Sequence, residues 1–276
     1  MVTVDTAAAF TTLENEYTPQ YCLQLEAAYG PGMMSEGGAA GIEQIFGDVP
    51  LHGKRLLDIG AGLGGAACYL AAKYQARVTG LEVNSWMVSE ATKRIPQELK
   101  NAVDFVLSTS NSNWPMASQS FDIIYSKGVL THVSDKNELF VECRRLLKAD
   151  GLLIITDWLS SESKKWGPNV ARLVELEKLS LFAESESGYC ATLERNGFSV
   201  LSVRDDSGSC IEWNRQIIAR LQDPALRESH LKVMTELERV AAIEGYEAII
   251  HAMEQGEARM VNLVAKVKDR GGPSPF

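Results

Sequence analysis

The stretch Arg55-Leu56-Leu57-Asp58-Ile59-Gly60-Ala61-Gly62-Leu63-Gly64-Gly65 decides the fold of this chain. Apolar residues lead into one acid and then into a glycine-rich segment, and the run 66–74 that follows has a helical composition. This order predicts a buried strand, a tight turn, and a helix that begins at the turn. Glycine lets a backbone approach a ligand closely, and the first N–H groups of a helix have no partner inside it. The stretch therefore predicts a site for a nucleoside-type cofactor.

The glycine spacing alone does not name that cofactor. Gly60, Gly62 and Gly65 match the pattern G-x-G-x-x-G, which is a weak signal outside a strand–helix–strand context. Glu82 supplies this context because it follows Asp58 by 24 residues, near the end of the next predicted strand. An acid at that place accepts hydrogen bonds from ribose hydroxyls, in NAD as well as in other nucleosides. A dehydrogenase therefore remains an alternative on these residues.

Composition narrows the class of protein. The 276 residues are 45% hydrophobic, which suits one enlarged domain or a domain with a cap. The net charge of −9 argues against a nucleic-acid partner, because phosphate backbones are bound by clustered Lys and Arg. The five cysteines form no C-x-x-C pattern or His/Cys cluster, so no metal site is expected. The absence of a signal-peptide pattern and of an apolar run of about 18 residues predicts a cytoplasmic protein without membrane insertion. The oligomeric state stays open.

Continuous apolar runs predict the strands of a mostly parallel sheet that helices cover on both faces. The predicted strands are the run that ends at Ile59, then 78–83, 103–107, 121–126, 152–157, 198–203 and 260–267. The predicted helices include 7–15, 19–29, 41–46, 86–94 with Ser85 as its cap, 137–147, 170–182 and 188–196. Together they predict an α/β, Rossmann-like fold with a seven-stranded sheet and a helical lid.

The lid is expected to come from separate parts of the chain. Residues 1–40 are predicted to form an N-terminal helical lid, 41–270 the core, and 271–276 a loose tail. Two helical insertions interrupt the core at about 159–187 and 207–257. These segments are expected above the carboxyl ends of the strands, where open α/β sheets bind ligands. Within the second insertion, Trp213, Ile217 and Leu221 recur at helical spacing and predict the lid's own core rather than a substrate groove.

The order of elements, the glycine turn, Glu82 and the late helical insertion resemble class I S-adenosylmethionine-dependent methyltransferases. A closer resemblance is to phosphoethanolamine N-methyltransferases. It rests on Glu14-Asn15-Glu16-Tyr17-Thr18, on Tyr29-Gly30 through Ser35-Glu36-Gly37-Gly38, on Tyr125-Ser126-Lys127, and on Leu130-Thr131-His132. The Ser-x-Gly-Gly run and the lid insertion have no role in a dehydrogenase, so the resemblance favours a methyl donor over NAD.

The resemblance implies S-adenosyl-L-methionine as the cofactor and a small molecule as the methyl acceptor. Glu82 is then expected to accept from both ribose hydroxyls, while Asp58 or a bridging water takes the ammonium of the methionine portion. The implied cofactor-binding residues are Tyr17, Met34, Ser35, Asp58, Gly60, Ala61, Gly62, Glu82, Val83, Thr109, Ser110, Ser126 and Lys127. For adenine, Thr109 or Asn111 must replace the acid that the family usually has after the third strand.

Tyr17 and His132 are the expected catalytic residues. In the resembled family a Tyr and a His in these motifs form a latch over the cofactor and help to deprotonate the amine. An alkylammonium has no lone pair, so it must lose a proton before attack, and histidine titrates near neutral pH. The alternatives are an interior or capping histidine and a tyrosine that only packs on the core.

The positions that recognise the acceptor depart from the resembled family. The family has an acid after a Ser-Arg pair, but here Gly128 follows Ser126-Lys127, and Trp158 stands in place of a Tyr. The side chains that grip phosphate in the family correspond here to Leu173, Glu177, Leu179 and a residue near Ile249. None of these residues supplies the cation that phosphate recognition requires.

The predicted function is therefore N-methylation of an amine-type acceptor that is less anionic and more apolar than phosphoethanolamine. The predicted substrate-binding residues are Gly128, His132, Trp158, Leu173 and Glu177. Two alternatives use the same cofactor fold: an O- or C-methyltransferase of a natural-product scaffold, and a non-catalytic nucleoside-binding protein.

Overall fold

The computed structural model describes residues 14–268, and a single seven-stranded sheet forms their centre. The strands are β1 (Arg55–Ile59), β2 (Arg77–Glu82), β3 (Val103–Leu107), β4 (Phe121–Lys127), β5 (Leu147–Leu159), β6 (Phe198–Asp205) and β7 (Arg259–Val267). Their spatial order is β3-β2-β1-β4-β5-β7-β6. Neighbours from β3 to β5 pair in parallel, whereas β7 runs antiparallel to both β5 and β6. The predicted seven-stranded, mostly parallel sheet is confirmed.

Helices cover both faces of this sheet. They are α1 (Pro19–Tyr29), α2 (Gly38–Phe46), α3 (Gly65–Tyr74), α4 (Ser85–Arg94), α5 (Asn137–Leu146), α6 (Pro168–Glu177), α7 (Glu186–Arg195), α8 (Ser207–Gln222), α9 (Arg227–His230) and α10 (Glu236–Glu254). Short 3-10 turns occupy 97–99 and 130–132. The second of these turns carries one of the expected catalytic residues.

Alternation along β1 separates two hydrophobic cores. Leu56 packs with the residues of α2 and α3, whereas its neighbour Leu57 packs with the residues of α5 and α7. Successive side chains of a strand point to opposite faces of the sheet, so one apolar run serves both cores. Burial on both faces fixes the position of β1 in the sheet and hence the position of the glycine turn that follows it.

Several element boundaries differ from the predicted ones. The helix predicted over 170–182 ends at Glu177, because Lys178 adopts a left-handed conformation with φ of 56°. The predicted Ser85 cap is wrong: Asn84 caps α4 by accepting the Met87 N–H at 3.1 Å, and Ser85 is already helical. The predicted helix 7–15 lies almost wholly outside the described residues, as does the tail 271–276.

The lid segments share one apolar cluster. Helices α1, α6, α8 and α10 contribute Ala28, Leu173, Cys210, Ile217, Leu221, Tyr246, Ala248, Ile249 and Met253 to it. Ile217 and Leu221 thus belong to the lid's own core, as the helical spacing indicates, while Trp213 lies beside Gly37 and Lys127. The limits of the lid and of its two insertions stay predictions. In the part of the chain from 14 to 268, no helix has both the length and the apolar composition needed to cross a membrane.

Candidate active site

A cleft lies at the carboxyl ends of the central strands, next to the loop between α1 and α2. Its lining combines backbone groups, acids and apolar side chains, the usual make-up of a small-molecule site. Many of the predicted site residues line it: Tyr17, Met34, Ser35, Asp58, Gly60, Ala61, Gly62, Glu82, Val83, Ser110, Lys127, Gly128 and His132.

Neighbouring groups approach the backbone of the glycine turn so closely that side chains would not fit there. Gly60 has a φ of 75°, and a Cβ there would come within 2.3 Å of Val129. A Cβ on Gly65 would lie 2.4 Å from the carbonyl oxygen of Gly32, and the Gly65 N–H donates to that oxygen at 3.1 Å. One helix N–H that was expected to face a ligand is therefore used to dock the N-terminal loop.

Glu82 ends β2 and is held by the backbone around it. Its carboxylate accepts from the N–H groups of Gly62 at 2.9 Å, Val83 at 2.8 Å and Asn84 at 3.0 Å. Burial raises its pKa despite these hydrogen bonds. A carboxylate has about four acceptor positions, so about one remains for a ligand. Acceptance from both ribose hydroxyls would require one hydroxyl to share a position that a backbone N–H already uses.

Asp58 is the deepest acid of the cleft. It is 4% exposed, and burial raises its pKa to about 7. The Tyr125 hydroxyl lowers the pKa and the nearby Glu82 raises it further, but both effects are smaller than that of burial. Among the described residues, no Lys, Arg or His forms an ion pair with it. A buried carboxyl group without a cation is a costly arrangement that a bound ammonium group would relieve. This observation shows that the cleft fits the amino-acid end of S-adenosylmethionine.

Tyr17 and His132 form a hydrogen-bonded pair at the cleft wall. The Tyr17 hydroxyl lies 3.1 Å from Nε2 of His132, and Nδ1 of His132 lies 2.9 Å from the carbonyl oxygen of Ser180. A carbonyl oxygen only accepts, so Nδ1 carries the proton and Nε2 accepts from the tyrosine. Burial lowers the pKa of His132, which favours the neutral ring. Burial and then the charges of Glu177 and Glu16 raise the pKa of Tyr17 well above its usual value, so its hydroxyl stays protonated.

Two contacts from the N-terminal segment hold this pair in place. Glu16 accepts from the backbone N–H of Ser180 at 3.2 Å and from its hydroxyl at 2.6 Å. The side-chain amide of Asn84 donates to the carbonyl oxygen of Tyr17 at 2.9 Å. The segment that carries Tyr17 is thereby tied both to the loop after α6 and to the strand end that carries Glu82.

Asp157 supports the turn that carries His132. Its carboxylate accepts from the Thr131 N–H at 3.2 Å and from the Tyr189 hydroxyl at 3.0 Å. Burial raises its pKa to about 6, although Lys136 and these two donors oppose the rise. Since Thr131 immediately precedes His132, Asp157 fixes the backbone from which the imidazole extends.

Comparison with known proteins identifies the family. Residues 57–155 match the family described as Methyltransferase domain. A phosphoethanolamine N-methyltransferase of Plasmodium falciparum is 30% identical over 246 residues, which are 86% of this chain and 88% of that protein. The chain belongs to the class I S-adenosylmethionine-dependent methyltransferases. Its cofactor is S-adenosylmethionine.

Other relatives agree with this family and differ in length. Phosphoethanolamine N-methyltransferase 1 of Zea mays is 25% identical to this chain over 252 residues. The matched region is 91% of this chain but only 49% of the maize protein. The structure of Haemonchus contortus phosphoethanolamine N-methyltransferase 2, in complex with phosphomonomethylethanolamine and S-adenosylhomocysteine, superposes with a TM-score of 0.82 at 21% identity. The superposition covers 97% of this chain and 61% of the Haemonchus chain. At 21% identity it supports the fold alone.

Some of the site residues that the sequence predicted for this chain do not line the cleft. Thr109 is exposed and lies outside the lining, whereas Ser110 and Asn111 belong to it. Ser126 is buried behind the wall, where its hydroxyl donates to the carbonyl oxygen of Ile59 at 3.2 Å. Trp158 and Leu173 pack in the lid cluster, and Glu177 lies at the end of α6, close to α10.

The cleft also contains residues that the sequence did not single out. They include Asn84, Met87, Trp114 and Val129. Asn84 could have been found as a capping residue two positions after a strand-end acid. The apolar residues carry no comparable signal, because a lining residue and a core residue look alike in sequence. Within residues 14–268, no three His, Cys, Asp or Glu side chains come together as a metal site.

Proposed function

We propose that this methyltransferase methylates the nitrogen of a small amine that carries no phosphate group. The Tyr17–His132 pair carries the proposal. It presents a phenolic oxygen to the cleft and, behind it, an unprotonated imidazole nitrogen at 3.1 Å. This arrangement can accept a proton from an ammonium group, which a nitrogen acceptor must lose before it can attack.

The residues of the chain supply proton transfer and alignment. When bound, S-adenosylmethionine supplies an electrophilic methyl group. As an acceptor ammonium releases its proton to the Tyr17 oxygen, the tyrosine's own proton moves to Nε2 of His132. Burial lowers the pKa of His132, and the nearby Glu16 carboxylate opposes this lowering and so favours the resulting imidazolium. Holding the nitrogen in line with the methyl group supplies a further large part of the rate.

The charges around the cleft support an acceptor without phosphate. Lys127 is the one Lys or Arg among the described residues that line it. Its ammonium group lies 3.3 Å from the Glu36 carboxylate and 5.5 Å from the centre of the Trp213 ring, so its charge is already engaged. At Gly128 a Cβ would meet no atom within 4 Å, which leaves open space where the resembled family has an acid. An uncharged or cationic acceptor fits this environment better than a phosphate ester.

The test uses labelled S-adenosylmethionine with matched acceptors. Phosphoethanolamine is compared with a panel of primary and secondary amines and with a metabolite extract, and the labelled product is identified by mass spectrometry. We expect label on the nitrogen of a non-phosphorylated amine. Label on oxygen or carbon would instead support an O- or C-methyltransferase. Preferential methylation of phosphoethanolamine would refute the proposed acceptor class.

Tyr17→Phe separates proton transfer from packing in the same assay. The variant keeps the aromatic ring but removes the hydroxyl that joins the acceptor to His132. Turnover at neutral pH should fall about 100-fold or more, the usual contribution of a general base. S-adenosylhomocysteine binding should stay within about threefold of the wild-type value, which controls for loss of the cleft itself.

A further inference from the structure

The short turn that carries His132 is held from both sides by buried charged groups. On one side the Asp157 carboxylate accepts from the Thr131 N–H at 3.2 Å. On the other side Nζ of Lys136 donates to the carbonyl oxygen of Val133 at 2.8 Å. Asp157 is fully buried and Lys136 is 7% exposed. Two side chains of opposite charge therefore fix the backbone on either side of the imidazole.

Tyr189 of α7 joins these two charged groups. Its hydroxyl donates to Asp157 at 3.0 Å, and Nζ of Lys136 lies over its ring, 5.5 Å from the ring centre. The tyrosine is 1% exposed, so the network has little contact with water. A cation over an aromatic face is attracted to it, more strongly where water is excluded. The turn is thus fixed by β5, by α7 and by the residue that precedes α5.

The place of Lys136 is an unfavourable one for a cation. It directly precedes α5, where the first N–H groups of the helix carry partial positive charge. Burial lowers its pKa; the carboxylates of Asp157, Glu184 and Asp135 oppose this lowering, and Lys164 adds to it. An apolar side chain would avoid both costs. What this lysine supplies instead is the hydrogen bond to the turn and a positive charge close to it.

That charge also acts on the imidazole. Burial lowers the pKa of His132, and Lys136 adds to the lowering because a nearby cation repels the imidazolium form. The carbonyl group of Ser180 and the carboxylate of Glu16 act in the opposite direction. The neutral ring is the form whose Nε2 can accept from the Tyr17 hydroxyl. Hydrogen bond and charge therefore favour the same state of the ring.

We propose that Lys136 is a positioning residue for methyl transfer, which together with Asp157 keeps Nε2 of His132 unprotonated and directed at the Tyr17 hydroxyl. The described residues that line the cleft include His132 but neither Lys136 nor Asp157, so both act through the turn. The catalytic part of this inference rests on the proposed function, in which the Tyr17–His132 pair takes the proton of the acceptor. The positioning part concerns the imidazole alone and is measured without a methyl acceptor.

Nuclear magnetic resonance of the histidine rings tests the positioning. The full chain with isotope-labelled histidine is saturated with S-adenosylhomocysteine and titrated with acid. His132, one of four histidines, is identified by its missing signals in His132→Gln. We expect the wild-type ring to carry its proton on Nδ1 alone. In Lys136→Met the other tautomer should appear, and His132 should bind a proton about threefold or more tightly than in the wild type. Lys136→Gln, which also lacks the charge, should show the same rise in proton affinity.

Lys164→Met is the matched control. Lys164 is a cation of the same region, but its side chain is 50% exposed and pairs with Glu184 at 2.7 Å. This variant should leave the tautomer and the proton affinity of His132 as they are in the wild type. S-adenosylhomocysteine binding with wild-type affinity shows that a variant is folded. An unchanged His132 in both Lys136 variants would refute the positioning role, and so would an equal change in the control.

Turnover tests the catalytic part. Label transfer from S-adenosylmethionine to the metabolite extract is measured at saturating cofactor, so that the ionisation of Asp58 does not limit the rate. In Lys136→Met it should fall about tenfold or more, the usual effect of a misplaced catalytic group. Activity should also be lost at a higher pH than in the wild type, because Lys136 lowers the pKa of both His132 and Asp157.

The outcomes separate this inference from the proposed function. An unchanged rate and an unchanged pH dependence in Lys136→Met would refute the catalytic part. Label on oxygen or carbon would refute the proposed acceptor class but would leave the measurements on the His132 ring valid. Conversely, label on an amine together with an unaltered ring would preserve the proposed function and refute the role of Lys136.

Discussion

The affinity of the enzyme for its cofactor should depend on the ionisation of Asp58. Burial raises the pKa of this carboxyl to about 7 in the ligand-free cleft, whereas the α-ammonium of the cofactor requires a carboxylate. At about pH 5.5 only about 3% of Asp58 is ionised, and at about pH 7.0 about half is. Affinity should therefore rise about 15-fold between these values, or about 1.6 kcal/mol. The range stays below the usual pKa of an α-amino group, so the ligand remains cationic throughout.

Calorimetric titration with S-adenosylhomocysteine at several pH values measures this dependence. Asp58→Asn should bind more weakly at neutral pH, and its affinity should vary little over the same range. Without ligand, the variant should be more stable than the wild type above about pH 7. The native state keeps the Asp58 proton longer than the unfolded chain, so stability falls as pH rises from about 4 to about 7. The difference is at most about 4 kcal/mol and is absent below about pH 4. A wild-type affinity that does not change with pH would refute this assignment of Asp58.

Three further predictions follow from the buried acids and the proton relay. Glu177→Gln should stabilise the ligand-free protein above about pH 7 by up to about 3 kcal/mol, because burial raises the Glu177 pKa to about 7; equal denaturant midpoints at about pH 8 would contradict this. His132→Gln should retain cofactor affinity within about threefold but lose turnover about 100-fold or more, as measured by S-adenosylhomocysteine release. Asp157→Asn should lower turnover more than cofactor affinity, since Asp157 fixes the backbone at Thr131; an unchanged rate with the same acceptor would count against that positioning role.

The fold was accessible from the sequence because local signals and packing agree in it. The apolar runs predicted seven strands, and the sheet contains seven. The third strand, β3, has the predicted bounds Val103–Leu107. The boundary of α4 was missed because Asn84 and Ser85 are both good caps, and only tertiary contacts choose between them. The hydrogen bonds of Glu82 end β2 just before Asn84 and thereby make that choice.

The cofactor end of the site was easier to predict than the acceptor end. Asp58, Gly60 and Glu82 lie within one strand–helix–strand unit, so their relative positions follow from short-range geometry. The Tyr17–His132 contact joins residues 115 positions apart and was expected only through the family resemblance. The surroundings of Glu177 depend on how α6 packs against α10, which no local pattern encodes. Glu177 was expected to bind substrate through its sequence position, yet it lies outside the residues that line the cleft.

The distribution of buried charge constrains the charges of the cofactor and of the methyl acceptor more tightly than any single residue does. Asp58, Glu82 and Glu177 all have a pKa raised by burial, and Lys127, the cation of the cleft, is engaged by Glu36. An ammonium group at Asp58 relieves one carboxylate, and the hydroxyls of a ribose can share Glu82 without any charge. Glu177 lies outside the residues that line the cleft. Among the described residues, neither Asp58 nor Glu177 forms an ion pair with a Lys, Arg or His, so a phosphate ester would add an anion to a region whose buried acids already lack a cation.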